Sequence, residues 1–315
     1  SWYLAKIPLI MKLKKIIARR FFMTSNIDTK KLYNWCKIPT GELENHPESK
    51  VKIKIFDVSR AAMEYVGSML ADEVINNNLE NKPTRWILPT GPMDEYTYFI
   101  KRVNEERISL KNLFVFHMDE YLDWQGRPFP LEHHFSLEGI MMREFYAKID
   151  PDLIVPINQR FWPRINDIDG LDKAIEEVGG VDTVLAGLGY KGLIAFCESP
   201  RSPWTTISID EYRNSKTRIV TINDDTIISL SERETGGLTH IIPPMAITIG
   251  FKSLLNTKKV VFLSTTGSWK RTAIRVMMFS DPTLEYPATL IPAYVHDVTI
   301  ITDKNTASPP INTME

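Results

Sequence analysis

The sequence predicts an α/β fold built on a doubly wound, mostly parallel sheet with helices on both faces. Three observations lead there. Short apolar runs recur at Trp86-Ile87-Leu88, Leu113 to Met118, Val181 to Ala186, Thr217 to Ile222, Met245 to Ile249, Val260 to Leu263 and Val298 to Ile301. The runs are continuous, as suits strands covered on both faces. Helical segments lie between most of them, and such crossovers are what parallel pairing requires.

Taken in order, the chain opens with 22 residues that carry six Lys/Arg and no acid. The pattern resembles a transit or amphipathic membrane segment. Its apolar stretches are far shorter than the roughly 20 residues that span a bilayer, and no small-residue cleavage site closes it. The plainer reading is an upstream extension ahead of a start at Met11 or Met23. Residues 1–50 are therefore expected to be a partly irregular extension, 51–305 a single α/β domain, and 306–315 a tail. A helix is expected from Ser59 to Asn76, where Ala62, Val66, Met69, Leu70 and Val74 recur at helical spacing behind Asp57 and Ser59 as caps. Further helices are expected at about 94–106, 136–147, 168–178, 251–256 and 268–280.

Composition narrows the function classes. With 38 basic and 39 acidic residues the net charge is -1, so no broad basic field draws the chain to nucleic acid. The two cysteines, Cys36 and Cys197, lie far apart with no zinc-ligand spacing. Neither a metal nor a cofactor is expected, no later segment is long enough to span a membrane, and the cytoplasm is the expected location. At 315 residues and 43% hydrophobic content the chain can bury a sizeable core.

In such sheets ligands bind beyond the carboxyl ends of the strands. Four strand ends stand out. Thr90-Gly91 opens directly onto a helix, either as a phosphate cradle of backbone N–H groups or as a plain helix-starting turn. Asp119 and Glu120 follow a buried run, where desolvation makes a carboxylate a competent base; a capping Asp beside a solvated Glu is the structural alternative. Gly187-Leu188-Gly189-Tyr190-Lys191-Gly192 is glycine-rich enough for close approach to a ligand, and Glu198 follows it. Gly267-Ser268-Trp269-Lys270 turns into a helix with a lysine that opposes the dipole, a better choice for holding an anion than for stability.

Read in order, LPTGPM at 88–93, MDEY at 118–121, GLGYKGLIAFCESP at 187–200 and GSWK at 267–270 resemble the glucosamine-6-phosphate deaminase/isomerase family. TRIVTI at 217–222 and YPATLIPAYVHDVTIITD at 286–303 fit it too, and the similarity spans roughly 57 to 303. The resemblance implies a Rossmann-like fold of the sugar-phosphate isomerase type and an aldose–ketose isomerisation coupled to loss of the 2-amino group. It makes Asp119 the carrier of a proton between C2 and C1, puts Glu198 in the ring-opening set, and seats the sugar phosphate on Thr90, Gly91, Ser268 and Lys270. The loop of Gly187, Leu188, Gly189 and Gly192 then faces the substrate. A homo-oligomer is also implied.

The departures matter as much. The family's ring-opening Asp and His fall on Lys191 and Leu193, its Asn before the acid is Cys197, and its phosphate loop is shorter here. Lys191 is a candidate base if desolvated, His117, His133 and His134 are candidate substitutes for the imidazole, and Tyr190, Trp204 and Trp269 are candidates to stack on a sugar. The alternatives to an isomerase/deaminase are a non-catalytic sugar-phosphate-binding regulatory protein of the same fold and a sugar-lactone hydrolase.

Overall fold

The structure is a computed structural model that describes residues 27–91, 93–201 and 206–311. The basic segment at 1–22 and Trp204 lie outside the described residues. Seven strands form one wholly parallel sheet in the order β1 (Lys52–Phe56), β10 (Asp297–Asp303), β9 (Thr257–Ser264), β6 (Val181–Gly187), β2 (Thr84–Leu88), β3 (Leu113–His117), β5 (Arg160–Phe161). The strand order changes direction at β10 and at β2, and the change at β2 is the kind of switch point a doubly wound sheet contains.

Strand alternation sends each run to two cores. Trp86 and Leu88 join one with Val115, Leu185 and Val261, under the helices Ser59–Leu79 and Asp94–Glu105. Ile87 joins the other with Phe116, Val184, Ala186 and Phe262, under Gly170–Glu177, Phe251–Leu254 and Arg271–Phe279. Both faces are covered, so the runs carry no polar alternation. Residues before β1 share the second core: Leu43 is fully buried, and Arg275 donates to Ile38 O at 3.0 Å.

Several expectations are revised. Thr217 to Ile222 and Met245 to Ile249 are strands, β7 (Arg218–Thr221) and β8 (Met245–Thr248), but they leave the parallel sheet. With β4 (Asp119–Leu122) they form a separate antiparallel sheet in the order β4-β8-β7. β1 escaped the sequence reading because Lys52 and Lys54 interrupt its apolar positions; Lys54 lies over the Tyr65 ring at 4.1 Å. The helix Asp224–Thr235 was also missed, since its face toward the protein is made of Thr226 and Ser231 as much as of apolar residues. Asp57 does not cap the Ser59–Leu79 helix: Val58 is the N-cap residue, no side chain caps, and Asp57 pairs with Lys304 at 2.5 Å. The 268–280 helix is a 3-10 turn, Ser268–Lys270, followed by Arg271–Phe279. Among the described residues no helix is long and apolar enough to cross a membrane.

Met118 is the joint between the two sheets. Its N–H donates to Leu88 O at 3.2 Å in the large sheet, and its carbonyl accepts from Ile249 N at 2.8 Å beside the small one. The chain therefore passes from β3 to β4 through a single residue.

Candidate active site

A cavity of about 440 Å³ opens above the carboxyl ends of β2, β3, β6 and β9, roofed by the Asp224–Thr235 helix. Thr90, Gly91, Asp119, Gly187, Gly189 and Lys270 all line it. Residues drawn from four distant stretches thus meet at the strand ends, where open α/β sheets take their ligands.

Asp119 is the first residue of β4, opposite Thr248 in the antiparallel ladder, and is 7% exposed. Burial pushes its carboxyl up to about 8, with the Glu120 charge adding to the rise. Glu120 points through the strand to the other side. Its carboxylate accepts from Tyr121 N at 2.9 Å, Leu137 N at 2.7 Å and Glu138 N at 2.9 Å. It is therefore an anchor for the Leu137–Glu144 helix and no solvated acid. Alternation along β4 divides the strand between two spaces, since Asp119 and Tyr121 line the main cavity while Glu120 and Leu122 line a separate one of about 350 Å³.

Lys270 is 7% exposed and its ammonium donates to Leu188 O. Burial lowers it to about 7, with a further push from the Arg233 charge. Arg233, on the roofing helix, lines the same cavity. Both basic side chains line one cavity, the sign of charge that an anion would require there. The hydroxyls of Thr90 and Thr266 also line the cavity, are buried, and have no hydrogen-bond partner among the described residues.

The remaining expected site residues sit behind this wall. Leu188 is fully buried and contributes its carbonyl to Lys270. Gly192 has φ +62°, a Cβ there would lie 3.0 Å from the Tyr286 side chain, and its carbonyl accepts from Ala288 N at 2.7 Å. Ser268 starts the 3-10 turn without lining the cavity. Lys191 lies 3.7 Å from Glu285 and also lies off the cavity. Glu198 accepts from Asn223 N at 2.7 Å, at the start of the roofing helix. Burial raises its carboxyl, and its Oε1 has no partner among the described residues. The glycines at 187, 189 and 192 have dinucleotide-fingerprint spacing, but no helix opens behind them before Ile209–Arg213 among the described residues, so the phosphate-binding context is missing.

No family model matches the chain. A glucosamine-6-phosphate deaminase of Mycoplasma mycoides is 31% identical over 241 residues, which cover 76% of this chain and 91% of that protein. The chain belongs to the glucosamine-6-phosphate deaminase family. A glucosamine-6-phosphate deaminase of a Thermoanaerobacter species is 29% identical over 76% of this chain and 90% of its own length. Among solved structures, a monomeric glucosamine-6-phosphate deaminase superposes with TM-score 0.68 at 22% identity, covering 82% of this chain and 99% of that one. The 6-phosphogluconolactonase of Trypanosoma cruzi superposes at 0.59 with 16% identity, covering 84% and 98%. The Rossmann-like fold is common to both.

Leu193 lines the cavity where the family motif carries a histidine, and it packs so closely on Gly189 that a Cβ there would meet its Cγ at 2.2 Å. Of the candidate imidazoles, His117 is sealed in the core, 2.9 Å from the Tyr146 hydroxyl and stacked on Trp162 at 3.5 Å. Its burial holds it well below the usual imidazole range. His133 accepts from Phe135 N at 3.1 Å, and only His134 of the three lines the cavity. Tyr190 and Trp269 stack at 6.5 Å, and both line the cavity.

Sequence reading missed Arg233 and Glu95, which both line the cavity. Arg233 lay in an unassigned helix. Glu95 carried a visible signal, an acid four residues behind Gly91 in the first turn of an expected helix.

Proposed function

We propose that the chain is an enzyme of sugar-phosphate isomerisation and deamination, acting on a 2-amino-2-deoxyhexose 6-phosphate such as glucosamine 6-phosphate. The observation that carries the reading is the meeting, in one cavity, of the buried Asp119 carboxyl with the Thr90-Gly91 turn and Lys270. The phosphate is held at the turn and by Lys270 and Arg233, and the sugar chain extends toward β4. Asp119 in its ionised form takes the proton from C2 and returns it to C1, while the C1 oxygen gains a proton and the C2 amino group loses one, leaving a C1 hydroxyl and an imine at C2; water adds there and ammonia leaves, giving the ketose. A pKa of about 8 suits this shuttle, since a group whose pKa lies near the working pH both takes up and gives back a proton readily.

The ring-opening step is where this chain departs from its family. Leu193 neither gives nor takes a proton. The substrate then enters in its open-chain form, or opens with help from His134 on the cavity wall. Turnover of a cyclic substrate is accordingly slow.

Incubating the protein with glucosamine 6-phosphate and measuring ammonia and ketose phosphate tests this reading. Product is expected, and Asp119→Asn lowers the rate at least about 100-fold, as for loss of a general base. No product, with Asp119→Asn behaving like the parent, sinks the catalytic reading. Leu193 favours a second reading, a sugar-phosphate-binding protein without turnover. Thermal stabilisation by the ligand with no ammonia released would select it.

A further inference from the structure

The acid behind the phosphate turn has no place in the mechanism above. Glu95 is the second residue of the helix Asp94–Glu105, lines the cavity, and is 2% exposed. Its Oε2 is buried with no hydrogen-bond partner among the described residues. We propose that Glu95 is a specificity-determining residue whose carboxyl, in its acid form, donates a hydrogen bond to the phosphate monoester at Thr90-Gly91, so that phosphate binding requires a proton on Glu95. The inference rests on the sugar-phosphate reading and deepens it.

Three observations carry it. First, an isolated buried carboxylate is costly, and a carboxyl so placed stays protonated. Burial pushes Glu95 up to about 8, the Asp94 charge adds to the rise, and its own backbone N–H offsets part of it. Second, an ionised Glu95 would face a dianion across the cavity they share, whereas the neutral acid presents an O–H that an anion accepts. The unpartnered Thr90 and Thr266 hydroxyls line the same cavity as further donors awaiting an acceptor. Third, the residue cannot swing away with its helix. A Cβ on Gly67, on the Ser59–Leu79 helix, would come within 2.6 Å of Glu95 O and 2.9 Å of Phe99 N, so the two helices are in backbone contact there.

The other ionisable groups around it are accounted for. Asp94 and Tyr96 flank Glu95 on its own helix, and the Tyr96 hydroxyl donates to Pro89 O at 2.8 Å. Asp119 and Tyr121 of β4, His134, Tyr190, Lys270, and Arg233 and Glu234 of the roofing helix share the cavity. Lys270 loses charge near pH 7 and weakens phosphate binding too, in parent and variant alike. Comparison with Glu95→Gln, which keeps a donor and cannot ionise, separates the two.

The test is calorimetric binding of glucitol 6-phosphate, an acyclic probe with no carbonyl to isomerise, to the whole chain and to Glu95→Gln between pH 6.5 and 9.5. The ratio of parent to variant Kd is expected to hold level to about pH 7.5 and to rise about tenfold by pH 9, as one ionisation near 8 dictates. Parallel pH dependence in the two proteins overturns the role of Glu95 and leaves the sugar-phosphate reading standing. No binding by either protein at any pH overturns both. Should melting curves show Glu95→Gln unfolded, Asp119→Asn decides in its place, with the Asp119 proton removed from the count: binding at pH 8.5, measured in buffers of different ionisation enthalpy, takes up more than one proton if Glu95 and Lys270 both acquire one. Uptake of one or fewer overturns the proposal.

Discussion

Asp119 and Glu120 are neighbours in sequence with opposite fates. Glu120 is satisfied by three backbone N–H groups, whereas Asp119 is desolvated in the cavity wall. Raised from an unfolded value near 3.9 to about 8, Asp119 makes the native state hold more protons than the unfolded one across that interval. Its contribution to stability is best below about pH 4 and declines as pH rises to 8. Asp119→Asn should therefore gain melting temperature relative to the parent, little at pH 5 and about 3 °C at pH 8, in scans across pH. Turnover of the parent should rise with pH toward 8, because only about a tenth of Asp119 is ionised at pH 7. A rate that falls from pH 6.5 to 8 at saturating substrate would contradict the assignment. Lys270→Met removes a buried cation and should weaken sugar-phosphate binding at least about tenfold while raising the melting temperature, measured by calorimetry and thermal scans. Restoring the family pair with Lys191→Asp and Leu193→His should raise deamination about tenfold or more, read as ammonia release. An unchanged rate would place the limiting step elsewhere.

At the scale of elements, the helices around the cavity are fastened by backbone contacts that leave no room for a methyl group. Gly67→Ala would press into the backbone of the Asp94–Glu105 helix and displace both Glu95 and the turn before it. We expect a loss of about 2 kcal/mol in denaturant unfolding together with weaker phosphate binding. Glu120→Ala should cost a similar amount by leaving the Leu137 and Glu138 N–H groups unpaired, with the phosphate site intact. What the sequence told of these elements follows their packing. The runs at 86–88, 113–118, 181–186, 260–263 and 298–301 were legible because both faces of the sheet are covered. Thr217 to Ile222 and Met245 to Ile249 were legible as strands but not as antiparallel ones, since pairing direction is set by partners remote in sequence. The Asp224–Thr235 helix was illegible because half of its inward face is hydroxyl-bearing.

For the molecule as a whole, the sheet order concentrates the ends of β2, β3, β6 and β9 in one place, and the cavity follows from that order. Spaced motifs made Thr90, Gly91, Asp119, Gly187, Gly189 and Lys270 legible, and all six line it. Glu198 and Lys191 were named by the same motifs, but loop paths carry them to a helix start and to Glu285. Glu95 and Arg233 needed the fold, because nothing in their local sequence states which space they enter.

The one-residue passage at Met118 has a consequence for how this chain can change. Side chains along β4 alternate between two chambers, so inserting or deleting a single residue between His117 and Asp119 would exchange the carboxyls, sending Glu120 into the cavity and Asp119 to the helix it cannot reach as well. A change in the joint's length would move Asp119 out of the cavity, so the spacing is as much a part of the candidate site as the acid itself.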